Sequence, residues 1–203
     1  MSETAHKSTM DTEPAWDVAR LFPDQGCWSE DDYLALDTNR LVEYSDGCVE
    51  ILPMPTLSHQ LMVVFLCQAL QSFVSARGLG TVLVAAYKVK LWEGKYREPD
   101  LIFVATEHEA RLGEQFSQGA DLVIEIVSPE GCQRDLEIKR QEYAQAGIAE
   151  YWIVDPQLQQ ITVFALEGST YVVHGQYSRG DDAESRLLTG FKVGVTDVLS
   201  VRR

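Results

Sequence analysis

Glu125 stands inside Asp121-Leu-Val-Ile-Glu-Ile-Val-Ser-Pro129, an apolar run that reads as a buried strand. An unpaired charge in such a place costs several kcal/mol, so this carboxylate should be paired, protonated or bound to a metal. A second carboxylate, Asp100, lies in Arg97-Glu-Pro-Asp-Leu-Ile-Phe-Val104, just after the proline that starts another apolar run. If the two runs are neighbouring strands, Asp100 approaches Glu125, and carboxylates at close range repel unless a proton or cation sits between them. Oxygen-only ligation suits Mg2+ or Mn2+. An ion held there polarises a phosphoryl oxygen and lowers the pKa of a bound water, so the pair points to metal-assisted hydrolysis.

A third group follows in the chain. Asp135, Lys139 and Tyr143 recur every four residues and so form one stripe of a helix, which can lie over the end of the Glu125 strand. Lys139 would then orient the attacking water or offset charge on the pentavalent phosphate. Plainer readings stand beside these. Asp100 after a proline is also the pattern of a turn residue, and Asp135 with Lys139 is also an exposed i, i+4 pair worth about 0.2 to 0.5 kcal/mol. Glu98 reads as an exposed edge charge or as an acid supporting the site. Arg97, Lys88, Lys90 and Lys95 read as a basic group able to touch phosphate or as a solvated strand face. His59 reads as a cap or surface group, and Tyr143, Tyr151 and Trp152 as core aromatics.

The elements that must position these groups are legible in outline. Ser29 ahead of three acids predicts a helix N-terminus. Asp46-Gly47 between two β-prone runs predicts a hairpin. Residues 58–78 predict the longest helix, with Leu61, Val64, Phe65, Ala69, Phe73 and Val74 as its core stripe. Residues 81–91 predict one half-exposed strand, residues 97–104 a second, and 121–128 a third. A helix over 135–146, ended by Gly147, leads to an apolar strand at 150–155. Strand, helix, strand across 121–155 is a crossover long enough for a parallel pair. Residues 160–166 and 170–174 form a further hairpin near a sheet edge, and 187–201 packs back onto the core. The class is α/β or mixed α+β, with a mixed sheet flanked by helices.

Composition sets the outer bounds. At 203 residues and 45% hydrophobic content, the chain can bury one sizeable core. The reading is a disordered or loosely ordered tail over 1–20 and a single domain over 21–203. Seventeen basic against thirty-one acidic residues leave a net charge of −14, which opposes broad contact with phosphate backbones. Cys27, Cys48, Cys67 and Cys132 form no C-x-x-C pair, and no secretory leader precedes them, so reduced cytoplasmic thiols are expected. No apolar run looks long enough to span a bilayer, and no membrane partner is expected.

Pro99-Asp100, Glu125-Ile-Val-Ser-Pro129, Asp135 with Lys139 and Tyr143, and Gly147-Ile-Ala-Glu-Tyr-Trp-Ile-Val-Asp-Pro156 together resemble the Uma2 family of bacterial proteins. The resemblance extends upstream to Asp46-Gly47 and His59 and covers roughly residues 28–200. It implies a restriction-endonuclease-like fold of the PD-(D/E)XK group, with Asp100 and Glu125 as metal ligands for Mg2+ or Mn2+. The lysine usual two residues after the second acid is Val127 here, and the resemblance implies that its role has migrated to Lys139. It further implies a DNA endonuclease, with a homodimer as the common assembly of such folds. The competing expectations are a non-catalytic binding or regulatory module on the same fold, and hydrolysis of another phosphoester. The nuclease reading requires that Asp100 and Glu125 can share one cation with Lys139 facing the same pocket.

Overall fold

The computed structural model describes residues 22–127 and 134–201, the side chains of 134–136 excepted. The N-terminal tail up to residue 21, Cys132 and the side chain of Asp135 lie outside the described residues.

Ser29 opens α1 (Glu30–Leu34) with a reciprocal capping box, its hydroxyl accepting from the Asp32 amide and the Asp32 carboxylate accepting from the Ser29 amide. The hairpin β1 (Val42–Ser45) and β2 (Cys48–Ile51) closes through Asp46 at φ 45° and Gly47 at φ 83°. Both turn residues are left-handed, as a two-residue hairpin loop demands. α2 (Leu57–Ser75) is capped by Thr56, one step ahead of the predicted start.

Two predicted single strands each prove to be two. Residues 81–91 divide into β3 (Gly80–Val84) and β4 (Lys88–Trp92), and 97–104 into β5 (Lys95–Arg97) and β6 (Leu101–Ala105). β3 and β6 lie in one sheet, β4 and β5 in another. The first crossing lies within the continuously apolar stretch from Val82 to Tyr87, and the second falls at Glu98-Pro99-Asp100.

A 3-10 turn (Thr106–Arg111) leads to β7 (Phe116–Ser117) and then to β8 (Leu122–Ile126). A π-helical stretch (Arg134–Lys139) runs into α3 (Arg140–Gln145), followed by β9 (Glu150–Asp155). The hairpin β10 (Gln160–Glu167) and β11 (Thr170–Ser178), the pair β12 (Asp182–Glu184) and β13 (Lys192–Gly194), and α4 (Val195–Leu199) complete the order.

The larger sheet runs β11-β10-β9-β8-β6-β3 and is antiparallel except where β8 meets β9, the predicted parallel pair. The smaller runs β2-β1-β5-β4-β7. One face of the larger sheet packs Leu101, Phe103, Leu122, Ile124 and Trp152 against Met62, Leu66, Leu70 and Val74 of α2. The other packs Ile102, Val104, Val123 and Ile153 against Tyr143 and Ile148. A third cluster, Trp28, Tyr33, Val42, Tyr44 and Tyr96, sits on the smaller sheet.

The predicted stripe of α2 holds in part: Val74 is buried and Phe65, Ala69 and Phe73 pack against the core, but Val64 is 49% exposed, and Met62, Val63, Leu66 and Leu70, outside that stripe, are buried. The helix also corrects the expectation about apolar length. Among the described residues it alone has the length and mean hydropathy, 1.4, of a membrane span. In this fold five of its side chains lie in the core of the larger sheet.

Candidate active site

Pro99 interrupts the backbone between the two sheets, and Asp100 stands immediately before β6. In the antiparallel ladder Leu101 faces Ile124 and Ile102 faces Val123, so one further step sets Asp100 across from Glu125. Asp100 Oδ2 accepts the Ile126 amide at 2.7 Å, and Oδ1 pairs with His59 Nε2 at 2.8 Å. His59 is thus neither a cap nor a surface group. The first turn of α2 brings it to the carboxylate, and Thr56 does the capping.

Glu125 is 5% exposed, with Val123 and Val127 of the same strand face in the apolar cluster around it. Lys139 Nζ donates to its Oε1 at 2.8 Å and Tyr143 Oη to the same oxygen at 2.7 Å. The four-residue spacing of the two donors puts them on one helix face, at the junction of the π-helical stretch with α3. Burial, and then the charges of Glu125 and Glu43, push the Tyr143 hydroxyl well above its ordinary value, so it keeps the proton that it donates. Lys139 is 3% exposed, which removes the reading of an exposed pair with Asp135. Val127, where the lysine of the motif would stand, is packed among Val104, Val123 and Ile153, a setting in which an ammonium would be stranded.

Beyond Lys139 lies a network that the sequence reasoning missed. Lys139 Nζ is also 3.3 Å from Glu43 Oε1, and Glu43 takes Arg97 Nη1 at 2.9 Å. Arg97 Nε and Nη2 donate to both oxygens of Glu142 at 2.7 and 2.8 Å, and Glu142 also meets Lys95 at 2.7 Å. Glu125, Lys139, Glu43, Arg97, Glu142 and Lys95 thus form an alternating file of charges. Burial pulls the Arg97 guanidinium toward losing its proton, but Glu142 and Glu43 outweigh that and raise it above its ordinary range. Glu43 is wholly buried. Alternation along β1 turns Val42 and Tyr44 into the third cluster and Glu43 away from it, which by itself would mean solvent. Only the arrival of Arg97 and Lys139 on that face buries it.

Glu98 is likewise no exposed edge charge. It is 4% exposed, accepts the Val42 amide at 3.0 Å and lies 3.5 Å from Lys88 Nζ. Burial pushes its carboxyl up to about 7, against the opposing pull of Lys88 and the amide. The basic group is not a solvated face either. Lys88 faces Glu98, Lys90 faces Glu30 at 2.6 Å, Lys95 faces Glu142, and Arg97 faces Glu43 and Glu142. Tyr143, Tyr151 and Trp152 are core aromatics, as expected, each fully buried.

Among the described residues no group of three or more histidine, cysteine or carboxylate side chains is arranged to hold a metal. The two acids that the ladder register sets opposite each other are Asp100 and Glu125. Two hard oxygen donors are what Mg2+ accepts when substrate oxygens and water complete its shell, so the residues fit a divalent cation of that kind.

Comparison with known proteins agrees with this fold. The chain resembles the solved structure of a "putative nuclease belonging to DUF820" from Anabaena variabilis ATCC 29413, with a TM-score of 0.70 and 18% sequence identity. The likeness covers 85% of this chain and 98% of that one, and it shows the fold. A search of the curated proteins finds no match. The family model of Uma2, described as "Putative restriction endonuclease", matches residues 30–201, and the chain belongs to that family.

Proposed function

We propose that the protein is a metal-dependent endonuclease that hydrolyses DNA phosphodiester bonds, with Asp100 and Glu125 holding Mg2+ or Mn2+ and Lys139 beside the attacking water. The observation that carries this reading is the convergence of Lys139 and Tyr143 on Glu125 Oε1, on the strand whose neighbour brings Asp100 opposite. The description of the family as a restriction endonuclease lends further support.

The bound ion would polarise the scissile phosphate and acidify a water. Water adds to phosphorus, one P–O ester bond breaks, and a proton ends on the leaving oxygen. Asp100 is held for its part by the Ile126 amide and His59, which fix both carboxylate oxygens. Tyr143 and Lys139 fix Glu125 in one rotamer. Lys139 offers a positive charge beside the phosphate as negative charge builds on its oxygens. Tyr143 keeps its proton throughout, so its role is orientation rather than proton transfer.

The test is nicking of supercoiled plasmid with Mg2+ or Mn2+. Glu125→Ala should lower the rate by about 100-fold or more. Equal cleavage by wild type and variant overturns the assignment. If wild type cleaves neither duplex, single-stranded DNA nor RNA, the fold serves a non-catalytic binding role instead.

A further inference from the structure

A lysine carried on β8 would be aimed by the strand itself, whereas one that arrives from a helix on a flexible four-carbon stem needs a second anchor. Glu43 is placed to be that anchor. Its Oε1 lies 3.3 Å from Lys139 Nζ, and the same ammonium is 2.8 Å from Glu125 Oε1. The Glu43 side chain is itself immobilised by Arg97 at 2.9 Å and by the Glu98 amide at 3.3 Å. Arg97 is in turn gripped through two nitrogens by Glu142. The whole support is buried, with Glu43 at 0%, Arg97 at 4% and Lys139 at 3% exposure.

We infer that Glu43 is a positioning residue of the site, which fixes the ammonium of Lys139 against Glu125 and so supplies from the β1–β2 hairpin what the motif normally takes from its own strand. This rests on the nuclease reading for its catalytic consequence but not for its geometry. A cavity of ≈ 260 Å³ opens beside Glu43, with Ser45, Cys48, Glu50 and Arg97 on its walls. Glu50, exposed and opposite Glu43 in the hairpin ladder, borders the cavity and serves as a control.

The experiment pairs a double-mutant cycle on the full chain with amine-reactive labelling of Lys139 followed by mass spectrometry. Glu43→Gln should lower kcat by about 10- to 100-fold, leave KM for DNA within about twofold, and add nothing further in a Lys139→Met background. It should also label Lys139 about tenfold faster than wild type, and Glu50→Gln should change neither quantity. An undiminished effect of Glu43→Gln in the Lys139→Met background, or unchanged labelling in the folded variant, overturns the inference.

Glu43→Asp, which keeps the charge one methylene further back, serves if the glutamine variant does not fold. It should show a partial loss of rate with faster labelling, and wild-type values for both overturn the inference. If wild type cleaves nothing, the function reading fails alone, and the labelling still decides whether Glu43 positions Lys139.

Discussion

Lys139 is the residue on which the site turns, because it is the cation between two buried carboxylates. Removing one partner of a buried pair leaves charge without compensation and costs about 3 to 5 kcal/mol. Lys139→Met should therefore lower the unfolding free energy by about that amount in urea, and Glu125→Gln should restore part of it; a loss below about 1 kcal/mol would contradict the network. Glu142 gives the network a pH signature. Burial alone would raise its carboxyl, but the hydrogen bonds from Arg97 and Lys95 outweigh burial and hold it below its ordinary value of 4.5. A depressed folded pKa contributes stability above the unfolded value, and that stability is lost as pH falls through the folded value. Thermal unfolding followed below pH 4.5 should show a steeper decline for wild type than for Glu142→Gln. Parallel declines would mean that Glu142 is not coupled to folding. Of these residues, Glu125 was legible because a carboxylate in an apolar strand demands a partner. Glu43 was not, because its burial depends on Arg97, fifty-four positions away in the chain.

At the scale of elements, α2 shows why periodicity can find a helix and still fix its buried side only in part. Leu61, Met62, Val63, Val64, Phe65 and Leu66 are consecutive apolar residues, so several stripes fit a helical repeat and only the sheet beneath selects one. Leu66 is wholly buried and Val64 is half exposed. Leu66→Ala should cost about 2 to 5 kcal/mol, and Val64→Ala about 0.5 kcal/mol or less. Reversal of that order in denaturant titrations would reject the observed face. The hairpin at Asp46-Gly47, the cap at Ser29 and the crossover from β8 to β9 were legible because each is set by local turn chemistry or by apolar runs of sufficient length. The division within residues 81–91 was hidden because it falls in a continuously apolar stretch, and that within 97–104 because Pro99 reads equally as a strand start and as a break between strands of different sheets.

Across the whole molecule, a net charge of −14 meets a proposed polyanionic substrate. The basic side chains nearest the site are engaged by Glu30, Glu43, Glu98 and Glu142, which leaves little positive charge there to exchange for the counterions of DNA. Duplex binding measured in Mg2+-free buffer from low to moderate salt should show a log–log slope of about −3 or shallower, whereas a slope near −6 would reveal a basic surface not formed by these residues. The passage through Glu98-Pro99-Asp100 has a different consequence. Three residues join the smaller sheet to the larger, and the supports of the site are divided between them: Glu43 and Arg97 on one, Glu125 on the other. On the proposed nuclease reading, chemistry requires both sheets to be docked, although the larger sheet has its own core against α2. Loosening of the smaller sheet would act as a safety catch, silencing the chain before it unfolds. In rising urea, amide exchange in β1 and β5 should accelerate together with the loss of cleavage, while β8 and β9 remain protected.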